Sequence, residues 1–472
     1  MQLTKRRWAD YVIGDRSFYK TVFTIVVPII IQNLITSFVS LLDNIMVGQM
    51  GTAQMSGVAI ANQLVFIFNI CIFGGISGAS IYGAQFYGAK DYEGMRACMR
   101  VKLYIGVGIS VIIGAAFMLF DEQLISLFLQ SSDGADVIKA TLAAGQEYLW
   151  IMLLGLLPFA LAQMYSSTLR EAGVTMLPMI SGVVAVITNM VFNYILIFGK
   201  FGAPALGVKG AAIATVISRY VELAIIVICV HVNAHRYFYI KGVYRTLKVP
   251  MLLIKRIAVR GTPLLANEAL WSVGMSFLNQ LYSVAGIDVV AASNIASTVS
   301  NLFNTVAFAM GNAVAIMVGQ ALGADDIDRA KKTAWRLIVF GVASAVCMGL
   351  LLAGSSPFIP LIYKTEQSVR DLATTFMLIL AGTMPLTAFA HCCYFTLRSG
   401  GKTVITFIFD CMSVWVINVP VVYFAVHHTD LSIGWVYALS QLVNLIKCIF
   451  GFILVKKGIW IHNITVETRK MA

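Results

Sequence analysis

The residues in this sequence with a capacity for chemistry are polar groups set inside long apolar stretches. Asp43 has no Lys or Arg within a helical turn of sequence. A carboxylate taken from water without a partner strongly favours uptake of a proton or a cation. Asn189 and Asn193, spaced i and i+4, share one face of a helix. Thr215 lies at the start of a further apolar stretch, Glu268 follows Pro263, and Asp410 precedes Trp415 and Pro420. Ionisable groups in such surroundings are costly, and each is by default a site hypothesis. Each also has a plainer reading. Asn and Thr form hydrogen bonds between packed membrane helices, and Glu268 reads equally as an interfacial or structural carboxylate. Arg219 and Glu222, at i and i+3, read best as a local ion pair. Lys447 reads as a snorkelling side chain. His391 reads as a hydrogen-bonded core histidine rather than a proton relay.

The stretches that carry these groups are membrane spans. The chain is 59% hydrophobic and 12% charged, whereas an ordinary soluble domain carries about 25% charged residues. Apolar runs of about 20 residues, long enough to cross a bilayer as helices, recur along it. They predict an all-α integral membrane protein with spans near 21–47, 56–82, 101–120, 144–167, 176–199, 209–232, 259–283, 291–318, 333–354, 370–395, 403–427 and 433–455. The runs are too long and too continuously apolar for barrel strands.

The net charge of +12 follows topology rather than a nucleic-acid surface. Lys139, Lys200, Lys209, Lys364 and Arg370 lie in odd loops or at the span ends beside them, and only Arg219 and Lys447 in span interiors. The remaining Lys and Arg, including Lys5, Arg6 and Arg7, occupy the termini and the even loops. Basic loops stay in the cytoplasm, so both termini are expected there. The longest hydrophilic connection divides the chain into an N-terminal six-helix lobe (1–235), a basic cytoplasmic linker (236–258) and a C-terminal six-helix lobe with a short tail (259–472). No Cys of the eight falls in an outside loop, so no disulfide is expected. The polar residues after Lys5, Arg6 and Arg7 and the length of the first apolar run do not fit a cleavable signal.

The two halves repeat. An offset of 235 residues brings Pro28 onto Pro263, Gly51 onto Gly286, Asn69 onto Asn304, and the block Gln85 to Asp91 onto Gln320 to Asp326. An offset of 228 brings Thr168-Leu169-Arg170 onto Thr396-Leu397-Arg398 and Gly173 onto Gly401. Six spans per half return the chain to its starting side, so the repeats are parallel. Transporters commonly use such duplications.

Several of these segments resemble one family. The run Leu41-Leu42-Asp43-Asn44-Ile45-Met46-Val47-Gly48 resembles the first-span signature of the MATE transporters (multidrug and toxic compound extrusion). Gln85 to Asp91 resembles the loop after their span 2, Asn189 to Gly199 their span 5, and Leu206 to Thr215 the start of their span 6. The match runs in order over nearly the whole chain. The resemblance implies a twelve-helix, two-lobe antiporter that exchanges Na⁺ or H⁺ for amphipathic organic cations by alternating access. It places Asp43 at the coupling carboxylate of the N-terminal lobe, with Asn189, Asn193 and Thr215 lining the same cavity. One carboxylate, two amide oxygens and a hydroxyl suit a small hard cation. It also points to Glu268 as a C-terminal-lobe coupling or substrate residue. Some relatives pair that glutamate with an aspartate in span 10, which has no acidic residue in its interior here. Asp410 either replaces it or is the structural partner of a nearby polar group.

Other functions are disfavoured. The sequence holds no H-E-x-x-H and no G-x-x-x-x-G-K-[ST], which argues against metallohydrolase and ATP-driven chemistry. A lipid-linked flippase of the same wider superfamily is the closest rival. Phosphate head groups call for Arg and Lys, and the span interiors contain only Arg219 and Lys447. The expectation is a monomeric plasma-membrane or bacterial inner-membrane exporter with no enzyme activity, no catalytic residues, no bound metal beyond Na⁺ at Asp43 and no cofactor beyond the coupling ion. Its partners would be small cationic amphiphiles and membrane lipid, not nucleic acid.

Overall fold

A computed structural model describes residues 11–129, 134–363 and 365–469. Lys5, Arg6, Arg7 and Lys364 of the topology argument lie outside the described residues. Among those described the chain forms long helices and no strand. In the N-terminal half these are α1 (Arg16–Gly48), α2 (Thr52–Gly88), α3 (Tyr92–Leu119), α4 (Ala135–Glu171), α5 (Met176–Phe198) and α6 (Val208–Val232). In the C-terminal half they are α7 (Met251–Ser283), α8 (Ile287–Gly323), α9 (Ile327–Ser355), α10 (Gln367–Ser399), α11 (Thr403–His428) and α12 (Ile433–Lys456). Helices are the open-ended structure that satisfies every backbone group within one segment, as lipid demands. The chain is a multi-pass membrane protein. Many helices overrun their apolar cores, α4 by several residues at each end, because backbone pairing continues past the hydrocarbon boundary.

Among the described residues eleven helices are long and apolar enough to cross a membrane by composition. The exception is α7. Asn267, Glu268, Asn279 and Gln280 interrupt its apolar surface, and Lys255, Arg256 and Arg260 crowd its first turns. The same residues that make α7 a candidate site helix therefore weaken its hydropathy.

The described chain packs as two compact units. One comprises residues up to Ile30, Ala84–Asp91 and Arg256 onward; the other comprises Ile31–Gly83 and Tyr92–Lys255. Thus α1 passes from one unit to the other two residues after Pro28, and α2 passes at Gly83. Helix pairings repeat between the halves: α3–α4, α4–α6 and α5–α6 recur as α9–α10, α10–α12 and α11–α12. Each unit has its own apolar core. Phe68, Tyr148 and Met152 lie in one; Met310, Leu337 and Trp460 lie in the other. Side chains such as Ile112, Leu154, Leu350 and Phe450 are exposed, as lipid-facing positions require.

In the unit that contains Arg256 onward, the repeated Gln-x-x-Gly blocks meet each other. A side chain at Gly88 would collide with the Gln320 carbonyl, and one at Gly323 with the Gln85 carbonyl. Gln85 is fully buried. Its amide nitrogen donates to Ser399 O (2.8 Å) and His462 O (3.2 Å), and its oxygen accepts from Ile464 N (2.8 Å).

In the other unit, Lys102 of α3 and Glu171 of α4 form an ion pair, with 0% and 4% exposure. The ammonium also donates to Ser167 Oγ (3.1 Å) and Thr168 Oγ1 (3.2 Å). Gly83 leaves the room the carboxylate fills. After α6, residues 233–244 form consecutive turns that bury Tyr237, Tyr239, Ile240 and Val243. Arg100 Nε holds this segment by donating to Val243 O at 2.8 Å.

Helix α11 is irregular. It is α-helical over Thr403–Phe407, widens to a π-helix over Ile408–Asn418, and returns to α-helix at Val419–His428. Pro420 has no N–H to give and its ring presses on the turn before it; the wider turn accommodates both. Such π segments occur frequently at functional sites.

Candidate functional site

The reversal between α5 and α6 sets up the first site. Gly199 ends α5 in the left-handed conformation, with φ of 65°. Gly210 lets α6 approach closely, since a Cβ there would lie 2.6 Å from the Leu196 carbonyl. This brings Asn189 and Asn193 of α5, both buried, beside Thr215 of α6. Asp43 of α1 completes the group: Asn193 Nδ2 donates to its Oδ1 at 2.7 Å. The four residues implied by the resemblance therefore form one cluster. Among the described residues no Lys or Arg pairs with Asp43.

The Asn189 amide has two orientations with different meanings. In one, its nitrogen donates to Thr215 Oγ1 and its oxygen accepts from Asn193 Nδ2, both at 3.2 Å, while Thr215 donates to Ala211 O at 3.0 Å. The amide oxygen then faces the Asp43 carboxyl, which suits a protonated acid that can donate. Turned over, the amide nitrogen donates to the Asp43 oxygens, at 2.8 and 3.1 Å, and the oxygen accepts from Thr215, while the nitrogen also faces Asn193 Nδ2 at 3.2 Å, donor against donor. That arrangement suits the ionised carboxylate. The cluster thus has a hydrogen-bond pattern for each charge state. Asn193 Oδ1, in a side chain only 2% exposed, has no hydrogen-bond partner among the described residues. A buried acceptor without a donor is an uncommon feature, and the donor set of carboxylate, amide oxygens and hydroxyl fits a small hard cation.

Sequence reasoning missed Tyr148 of α4. Its hydroxyl pairs with Asn62 Oδ1 at 3.1 Å, and it lies close enough to Asp43, Thr215 and Arg219 to interact with all three. Arg219 does not pair with Glu222 as expected. It reaches α4, where it donates to Gly155 O at 3.1 Å and lies over the Phe159 ring at 5.0 Å. Pro158 deprives the neighbouring Leu154 carbonyl of its helical donor, so this is a stretch of backbone with acceptors to spare. Glu222 sits in the field of both Arg170 and Arg219. Arg170 donates to Gln32 of α1 at 3.2 Å, and Gly182 leaves room for that glutamine.

A second polar group lies in the C-terminal half. Lys447 of α12 does not snorkel away. Its ammonium meets Asp410 Oδ1 at 2.8 Å, because the π-helical turn of α11 presents the carboxylate to it. Asn267 of α7 donates to the other oxygen, Oδ2, at 3.1 Å. Asp410 therefore has a basic partner and an amide partner within the helix packing. Glu268 makes no hydrogen bond or ion pair among the described residues, but feels the Arg398 charge. His391 makes no hydrogen bond among them either. It is packed by rings, with centroids of Phe395 at 4.9 Å and Phe308 at 5.2 Å.

A duplicated set of membrane helices with polar clusters held inside the helix packing defines a membrane transporter rather than an enzyme. The profile of the MatE family matches residues 28–195 and 263–424, and the chain belongs to that family. It is 26% identical over 457 residues to a probable multidrug resistance protein, YoeA, of Bacillus subtilis, covering 94% of this chain and 96% of that one. It is 23% identical over 435 residues to a probable multidrug resistance protein, NorM, of Thermotoga maritima, covering 91% of each. In fold it is similar to the outward-facing structure of a multidrug resistance MATE transporter of the MOP superfamily. That match has a TM-score of 0.85 at 21% identity and covers 94% of this chain and 96% of the other.

Proposed function

We propose that this protein is a secondary active antiporter that exports amphipathic organic cations in exchange for Na⁺ or H⁺ by alternating access. Asp43, Asn189, Asn193 and Thr215 hold the coupling ion. The observation that carries this reading is the pair of unmet demands in one cluster: among the described residues the carboxylate has no cationic partner and Asn193 Oδ1 no donor. A bound Na⁺ answers both. A proton on Asp43 answers the first through the Asn189 amide. An ion shifts a conformational equilibrium only through its different affinity for the two states. Helix α1 supplies the means, since Asp43 lies beyond Pro28 and beyond the point where α1 changes unit. The multidrug names of the relatives support a broad small-molecule substrate range, and the sparse basic residues of the spans favour a cationic one. Glu268 is assigned to the substrate, as a carboxylate without its own hydrogen-bonded cation. The basic even loops support cytoplasmic termini, and the protein acts as a monomer in the cell membrane.

The test is efflux of ethidium from reconstituted vesicles under a Na⁺ gradient and a pH gradient imposed separately. Movement driven by one gradient and lost in Asp43→Asn supports antiport and names the ion. Gradient-independent behaviour of folded protein, with transbilayer movement of a lipid-linked substrate instead, would point to the flippase.

A further inference from the structure

We propose that the Lys447 ammonium is a tethered cation filling the place that a coupling ion would take at Asp410, so that the C-terminal half has no ion site of its own. The inference rests on the reading of Asp43 as the coupling carboxylate. The two carboxylate clusters are complementary in what they lack. At Asp43 the donors are amides, and among the described residues no cation is paired and Asn193 Oδ1 is unpartnered. At Asp410 each oxygen has its donor, Lys447 Nζ at 2.8 Å on Oδ1 and Asn267 Nδ2 at 3.1 Å on Oδ2. The pair is largely enclosed, with side-chain exposures of 13% for Lys447 and 22% for Asp410. A Na⁺ entering there would have to displace a positive charge that is covalently attached and already held at 2.8 Å from the carboxylate.

The position of Lys447 in the repeat gives a second, independent observation. Lys447 and Arg219 are separated by 228 residues, the same offset that superposes Thr168-Leu169-Arg170 on Thr396-Leu397-Arg398. The two basic residues of the span interiors therefore lie on corresponding helices, α6 and α12, and about one turn apart when the bounds of those helices are aligned. Arg219 spends its charge on a backbone carbonyl and the Phe159 ring and meets no carboxylate within ion-pair distance among the described residues. That leaves Asp43 open. In the C-terminal half the corresponding helix carries Lys, whose ammonium is a compact point charge on a flexible stem, and the π-helical turn offers it Asp410. The other charges nearby leave the balance unchanged: Glu268 is faced by Arg398, and His391 lies in the combined field of Asp410, Lys447 and Arg398. One half is thus ion-responsive, and the other is satisfied from within.

The experiment uses the full chain in lipid nanodiscs and vesicles. Binding of radiolabelled Na⁺, proton uptake after a pH jump, and gradient-driven ethidium efflux are measured for each variant. In the charge-neutral pair Lys447→Met with Asp410→Asn, ion binding and the ion dependence of efflux should remain those of the wild type. Lys447→Met alone should gain binding of a Na⁺ or a proton that the wild type lacks, and that gain should vanish when Asp410→Asn is added. Lys447→Arg should show no gain. The proposal is overturned if the folded neutral pair loses ion-driven efflux, or if folded Lys447→Met takes up no additional ion. If Lys447→Met does not fold, the neutral pair decides alone. Asp43→Asn, run in parallel, separates the two readings. If it keeps wild-type coupling while Lys447→Met gains an ion, the Asp43 assignment fails and the tethered cation stands. If it keeps coupling while the neutral pair loses it, Asp410 carries the ion and both fail.

Discussion

Replacing Glu171 by Gln isolates one charge in the interior of the unit formed by Ile31–Gly83 and Tyr92–Lys255. Lys102 is then left fully buried with an amide in place of its carboxylate. Removing one partner of a buried ion pair costs about 3–5 kcal/mol, because the other charge stays desolvated and uncompensated. The Ser167 and Thr168 hydroxyls still accept from the ammonium, at 3.1 and 3.2 Å. They hold the expected cost near the lower end, about 3 kcal/mol. For a unit of this size that corresponds to a fall in Tm on the order of 5–10 °C. Adding Lys102→Met removes the stranded charge and should recover most of the loss. The assay is thermal unfolding of the purified protein in detergent across this double-mutant cycle. A Glu171→Gln protein melting within about 1 °C of the wild type, or a cycle with no coupling, would refute the assignment of this pair as a source of stability.

Three further outcomes are expected. Gly323→Ala should lower stability by about 1–3 kcal/mol or more, since the new methyl meets the Gln85 backbone rather than a yielding side chain; an unchanged melting curve would contradict the close crossing. Pro28→Ala should leave Tm unchanged or higher, because Pro is unfavourable by about 3 kcal/mol inside a helix, while slowing ion-driven efflux. An unaltered efflux rate would remove α1 bending from the mechanism. Tyr148→Phe deletes the hydroxyl paired with Asn62 and strips a polar neighbour from Asp43. A loss of about 1 kcal/mol should raise the half-saturating concentration of the coupling ion about fivefold, read from the ion dependence of efflux, and no shift would exclude Tyr148 from the site.

The apolar runs made the helices legible because composition alone decides which segments lipid accepts. The Asp43 cluster was legible in part. Asn189 and Asn193 declare a shared face by their spacing, but their meeting with Asp43, 150 positions from Asn193, came only from family resemblance. Tyr148 was invisible, because a tyrosine among apolar residues looks the same whether it packs or serves a site. Lys102 was counted with the basic residues of an even loop and is instead buried against Glu171, 69 positions away. Lys447 and Asp410 stand 37 positions apart on separate helices, and the π-helical turn that aims one at the other has no residue signature beyond Pro420. Hydropathy penalised α7 for Asn267 and Glu268, the residues that make it of interest. In each case the missing information was a contact between helices, which periodicity along one helix does not encode.

The mutual seating of Gly88 on Gln320 and of Gly323 on Gln85 is self-complementary: the same patch appears on both sides. Two identical half-length chains related by a two-fold axis would touch in this way, through an isologous interface. Once such halves are joined in one polypeptide, most paired positions are free to diverge. Asp43 stands opposite Leu278 at one offset, and Asp410 opposite Gly182 at the other. The glycine crossing has no such freedom, since the backbone of each block is the wall against which the other block's glycine rests. The halves remain most alike where they lean on each other and differ most where each holds its own charge.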